Sequence, residues 1–162
     1  MTRHPFSFLE ANALLPEVEA VFARVDQIRI DLDARHTQVQ LLEGLWGDKL
    51  TESGNPDHLE FLAHRDAILR GVDEIERLIQ TRLLDRGVRV PAGGLEVGLA
   101  DFPSTLEGRW VYLCWRRGEA EVGHFHEIQG GFAGRRPLTP DVSVRLALAD
   151  DPARLDDSVL DF

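Results

Sequence analysis

The strongest constraint on this chain is a ladder of apolar residues near its N-terminus. Leu14, Val18, Val21, Val25, Ile28, Leu32, Val39, Leu42 and Trp46 follow at alternating intervals of four and three, with Arg35 the one polar residue in the series. That spacing is a helical a/d seam, the pattern of coiled-coil packing. Asp26, Asp31, Asp33, Arg24 and Arg29 lie on the other face, as a solvated surface requires. Ser7 and Glu10 have the Ser-x-x-Glu spacing of a capping box. Pro16 interrupts the run, and proline is tolerated at the start of a helix rather than inside it. A short turn over Phe8 to Leu14 and a long helix from Pro16 are therefore expected.

Gly47 to Pro56 (GDKLTESGNP) is polar and punctuated by Gly and Pro, the composition of a loop. Asp57 is placed to cap a second helix, whose stripe is Phe61, Ile68, Val72, Ile75 and Ile79, widened by Leu62, Leu69 and Leu78. Gly71 costs that helix about 1 kcal/mol against alanine, a loss that close approach of a partner helix would explain. Gly87 closes it. Two long helices joined by a short loop pack antiparallel, and the same seams are suited to a homodimer.

From Val88 the pattern changes. Pro91, Gly93, Gly94 and Gly98 make a turn-rich entry, with a short strand expected over Leu95 to Ala100. Arg109 to Arg116 (RWVYLCWR) is aromatic and β-branched, with Val111, Leu113 and Trp115 on one face of a strand. A turn at Gly118-Glu119 returns the chain along Glu121 to Ile128. Val142, Val144, Leu146 and Leu148 alternate with Ser143, Arg145 and Ala147, which predicts a further strand. Asp151-Pro152 is placed to start a short helix in an acidic tail that frays. The expected fold is thus α+β: one domain over 1–162, with an antiparallel, coiled-coil-like helical hairpin over 8–87. A small antiparallel β-rich module over 88–148 packs with it, and an acidic tail covers 149–162.

The formal net charge is -10. Such a surface repels nucleic acid and anionic membranes. No stretch reaches the roughly 18 apolar residues of a membrane span. The N-terminus lacks the apolar run of a signal peptide, and a single cysteine, Cys114, rules out an internal disulfide framework. A cytoplasmic protein is expected.

Ala100 to Pro103 (ADFP), Tyr112 to Arg116 (YLCWR) followed by Gly118 and Glu119, then His126-Glu127, then Gly131 to Leu138 (GFAGRRPL) recur in this order, preceded by Glu10 to Pro16 (EANALLP). Together these blocks resemble the DUF2203 family. The resemblance implies a small prokaryotic protein of unknown function with a helical N-terminal half. It brings no established catalytic residues, and the segment after Leu138 lies outside it.

His124 and His126 are two apart on a predicted strand, so period two puts both on one face. With the turn centred on Gly118-Glu119, Leu113 opposes His124 and Val111 opposes His126. Two readings compete: core histidines satisfied by carbonyls or carboxylates, or a ligand pair for a divalent metal such as zinc. Glu127 joins the second only if a bulge at Gly130-Gly131 re-aims it. Glu60 and His64, one helical turn apart, are read as a surface contact more readily than as further ligands. Cys114, on the face opposite the histidines in this register, is read as a small hydrophobe. Arg135 and Arg136, set among glycines, are suited to a carboxylate or phosphate, or else pair with an acid such as Asp101 or Glu127. Trp110 and Trp115 are packing anchors that are also placed to wall a small pocket.

Two functions follow. One is a binding or adaptor protein, with the hairpin as scaffold and dimer interface and the β module as recognition surface. The alternative is a metal- or small-anion-binding protein, extending to a metal-dependent enzyme, with His124, His126 and Glu127 on the metal and Arg135, Arg136 and Trp115 on the ligand.

Overall fold

The computed structural model describes residues 3–148, 151 and 154–162. The chain is α+β, and it divides into two compact units: 1–22 with 80–162, and 23–79.

Helix α1, Phe8–Trp46, runs unbroken for 39 residues with Pro16 inside it. The expected break at Pro16 does not occur; the helix absorbs the proline two turns from its start. The capping box holds as predicted. Ser7 Oγ accepts from Glu10 N at 3.2 Å, and Ser7 N donates to Glu10 Oε2 at 2.8 Å. The Ser7 amide is the main reason the Glu10 carboxyl lies below its usual value, against a smaller opposing effect of burial.

In the unit 23–79, α1 meets helix α2, His58–Arg82. The contacts run antiparallel. Arg24 pairs with Glu74 at 2.7 Å, and Trp46 Nε1 donates to Asp57 Oδ2 at 2.7 Å. Asp57 thus uses its carboxylate on the indole rather than on the first amides of α2. A Cβ on Gly71 would stand 2.7 Å from Leu32 Cδ2, so the missing side chain is what lets the helices approach there. Glu60 and His64 form the expected i,i+4 contact at 3.5 Å.

The unit 1–22 with 80–162 holds a four-stranded antiparallel sheet in sequential order. Its strands are β1 Leu99–Leu106, β2 Arg109–Arg116, β3 His124–Glu127 and β4 Arg136–Pro137. The short strand expected over Leu95 to Ala100 is replaced by a helical turn, Gly94–Val97, with β1 starting two residues later. All of β1 is buried, including Pro103. Pro103 fits because its backbone faces away from β2: its carbonyl accepts from Phe6 N at 2.8 Å, so the β1–β2 ladder loses no donor.

Alternation gives the sheet two faces. Ala100, Phe102, Leu113 and Trp115 share the face that α1 covers, where Trp115 stacks on Phe22 at 6.4 Å and Phe102 meets Phe6 edge-on at 5.4 Å. The other face carries Asp101, Tyr112, Cys114 and His126.

The predicted strand over Val142 to Leu148 is absent. Thr139 caps a short helix, Pro140–Ser143, with proline in its first turn, and Ala147 adopts a left-handed φ of 57° that no strand accommodates. Of the expected helix start at Asp151-Pro152, Pro152 lies outside the described residues. The tail that was expected to fray is tied down at Asp161, whose amide donates to Tyr112 Oη at 3.0 Å.

Candidate functional site

Register decides which residues meet. In β2 and β3, Cys114 opposes His124, Leu113 opposes Phe125, Tyr112 opposes His126 and Val111 opposes Glu127. This is one residue away from the pairing expected from a turn centred on Gly118-Glu119. That turn forms, with Glu119 N donating to Arg116 O at 3.0 Å, but the chain continues irregularly before β3 begins at His124. A one-residue slip exchanges faces. The histidines therefore share a face with Tyr112 and Cys114, and not with Val111 and Leu113.

The predicted metal set does not converge. His124 is half-exposed beside Arg135, whose guanidinium contacts both its Nδ1 and the Glu119 carboxylate. Glu127 projects from the opposite face, as strict alternation dictates, and no bulge re-aims it. It accepts from Arg109 at 2.9 Å and from Arg136 at 2.7 Å. Those bonds, Arg109 first, hold its carboxyl below the usual range. Arg136 thus has the acid partner anticipated for it, while Arg135 takes Glu119. Trp115 lies on the α1 face, away from the histidines, with Nε1 donating to Glu119 O at 2.9 Å. It packs against Phe22 there, on the face opposite His126.

What the sheet does bring together is Asp101, Cys114 and His126, from three adjacent strands. Among the described residues this is the one group of three potential metal-binding side chains whose ligand atoms all lie within 4.8 Å of one another. Asp101 uses its backbone N and O on Arg89, both at 2.8 Å, so its pairing with Cys114 is the non-hydrogen-bonded kind, in which side chains approach most closely. All three residues are at most 2% exposed.

Asp101 Oδ2 receives Arg89 Nη1 at 2.9 Å, whereas Oδ1 is buried with no hydrogen-bond partner. Arg89 also reaches Asp161 at 3.2 Å and lies 4.7 Å over the Tyr112 ring. His126 Nδ1 is 2.8 Å from the Glu127 carbonyl, which can only accept, so that nitrogen carries the proton. Nε2 then faces Asp101 Oδ2 at 3.6 Å. Burial disfavours the charged imidazole, but the Asp101 carboxylate and the Glu127 carbonyl outweigh it and raise its pKa. Burial, reinforced by Asp101, pushes the Cys114 thiol up to about 12. Cys114 is thus an unreactive thiol in its present surroundings.

Sequence reasoning missed Asp101 as a ligand candidate and set Cys114 apart from His126. Spacing on β2 and β3 alone would have joined the last two had the link between those strands been read as irregular.

A separate surface cleft of about 890 Å³ is lined by Arg3, His4, Phe6, Leu84, Arg86 and Phe162, among others. It contains none of the predicted site residues; in its lining Arg86 pairs with Glu17 at 2.9 Å and His4 with Glu10 at 3.1 Å.

The fold and this buried polar face define an α+β protein of the kind that pairs a long helical hairpin with a small antiparallel sheet. The chain belongs to the DUF2203 family, an uncharacterized conserved protein family, whose model matches residues 4–138. No curated protein and no solved structure matches it.

Proposed function

We propose that this chain is a cytoplasmic binding or adaptor protein whose helical hairpin docks a second copy of itself, leaving the sheet module free to recognise a further partner. The observation that carries this reading is the exposed apolar surface of the unit 23–79. Helix α2 buries none of its residues, and on α1 Leu41 and Leu45 are 62% and 68% exposed. Ile30 lies three turns before Leu41 on the same face. Apolar side chains repeating at helical spacing on a surface mark an interaction face. A stripe of this kind is complementary to itself about a two-fold axis. Burying each leucine contributes about 1.5–3 kcal/mol, enough in aggregate to hold a dimer. No helix among the described residues is long and apolar enough to cross a membrane, which agrees with this reading.

Light scattering on the eluting full-length protein tests it. The expected result is a dimer that Leu41→Glu with Leu45→Glu converts to monomer while helical circular dichroism is retained. A monomeric parent protein, or a dimer indifferent to both substitutions, would refute the reading.

A second reading, capture of a small anion, is favoured by one observation at Arg135. Its side chain is nine-tenths buried and its Nη1 has no hydrogen-bond partner. Calorimetric titration with inorganic phosphate should then give saturable heat that Arg135→Gln abolishes; a flat titration of the parent protein removes the idea.

A further inference from the structure

We propose that Asp101, Cys114 and His126 form a buried site for one divalent transition metal of the zinc class. Three features of the geometry point there.

The first is the donor set. A carboxylate oxygen, a sulfur and an imidazole nitrogen are the ligand types such an ion selects, and three protein ligands leave one position for water. Metal–ligand bonds of about 2.0–2.3 Å place tetrahedral ligands roughly 3.3–3.8 Å apart. The His126 Nε2 to Asp101 Oδ2 separation of 3.6 Å falls in that range, and no ligand atom of the three is more than 4.8 Å from another.

The second is the imidazole's orientation. Metal-bound histidine usually donates its other ring N–H to a carbonyl or carboxylate, which fixes the tautomer and aims the lone pair. His126 has this arrangement: Nδ1–H on the Glu127 carbonyl and Nε2 toward Asp101 and Cys114.

The third is a buried carboxylate oxygen without a partner. Asp101 Oδ1 is fully buried and accepts nothing. His126 Nε2 and Asp101 Oδ2 stand 3.6 Å apart, too far for a good hydrogen bond, in a dry interior. Burying a polar group without a partner is unfavourable, and a cation held among these side chains would supply one. Charge also balances. Asp101, Asp161 and the Cys114 thiolate supply three negative charges, against one on Arg89 and two on the metal.

Loading is coupled to proton release. The Cys114 S–H bond breaks, its proton goes to solvent, and the sulfur forms the metal bond; the ion's oxidation state does not change. This site is separate from the docking face, so a dimer without metal, or metal without a dimer, tells the two apart.

The test uses full-length protein, reduced and stripped with a chelator, then titrated with Co²⁺ as the probe and afterwards with Zn²⁺. One equivalent of cobalt should bind, with the thiolate-to-cobalt charge-transfer band and the intense visible bands of a tetrahedral ion, and zinc should erase the spectrum. Cys114→Ser should lose the charge-transfer band, His126→Gln should lose saturable binding, and His124→Gln should change neither. Circular dichroism of the stripped variants separates a lost ligand from a lost fold. The parent protein gives a second measurement free of substitutions: its melting temperature should climb with added Zn²⁺ and fall back with chelator. A parent protein with no cobalt band and no zinc-dependent melting shift overturns the proposal, leaving a plain carboxylate–imidazole pair. So does a charge-transfer band that survives in a folded Cys114→Ser protein.

Discussion

Replacing Arg89 with methionine isolates the electrostatics of the buried sheet face. Methionine keeps most of the aliphatic bulk of arginine, so the change removes charge more than packing. The lost contacts are a 2.9 Å charge-assisted bond to Asp101, a 3.2 Å contact to Asp161 and the guanidinium's place 4.7 Å over the Tyr112 ring. Asp161 is largely exposed and water replaces its partner, so that half of the loss is small. Asp101 is only 2% exposed and becomes a buried carboxylate without its cation. Breaking a buried pair from one side costs about 3–5 kcal/mol. His126 Nε2, 3.6 Å away, takes up part of the uncompensated charge once protonated, which puts the expected loss near the lower end, about 3 kcal/mol. Removing both partners, Arg89→Met with Asp101→Leu, should restore stability to within about 1 kcal/mol of the parent, because an apolar pair avoids the desolvation cost. Urea denaturation of metal-stripped protein at pH 7 measures all corners of the cycle, with an unchanged m-value as the check on two-state behaviour. A single Arg89→Met loss under about 1 kcal/mol, or a double variant as unstable as the summed singles, would refute the reasoning.

Two other predictions concern geometry and pH. Gly98 has φ +74°, and a Cβ there would lie 2.6 Å from Arg117 Cβ, an atom close to the backbone that cannot swing away. Gly98→Ala should therefore cost about 2–5 kcal/mol in a thermal or urea melt, from left-handed strain plus overlap. The Glu17 carboxyl is held below its usual value chiefly by its hydrogen bond from Arg82, against a smaller effect of burial and with help from Arg86. Its contribution is present above the unfolded value of 4.5 and is lost as pH falls through the depressed folded value. Melts taken downward from pH 5 should show a steeper decline for the parent protein than for Glu17→Gln, and parallel profiles would contradict the assignment.

The helical half was legible because its driving force is written in periodicity. Val18, Val21, Val25, Ile28 and Leu32 recur at helical spacing, and α1 buries each of them. Gly71 was legible for a related reason: a helix tolerates such a residue only where its partner presses in. In the sheet, β2 was legible from composition, whereas β1 was not. All eight of its residues are buried, so it shows no alternation, and Pro103 argues against a strand until its outward-facing backbone is known. Val142 to Leu148 failed in the opposite sense. It alternates like a strand, yet the Thr139-Pro140 cap and the left-handed Ala147 decide its path locally. The candidate site was hidden by one residue of register. Face is a parity, and the irregular link before His124 shifted it, moving Cys114 to the side of His126 and leaving Glu127 with Arg109 and Arg136.

The pairing of β2 with β3 and β1 is therefore the claim to measure, since it groups Asp101, Cys114 and His126. Antiparallel residues in non-hydrogen-bonded pairs bring their Hα atoms together, so a nuclear Overhauser spectrum reads the register directly. Cross-peaks between the Hα atoms of Leu113 and Phe125, and of Asp101 and Cys114, are expected from this register. Cross-peaks joining the Hα of Leu113 to that of His124, or of Tyr112 to that of Phe125, would return the histidines to the apolar face and dissolve the site.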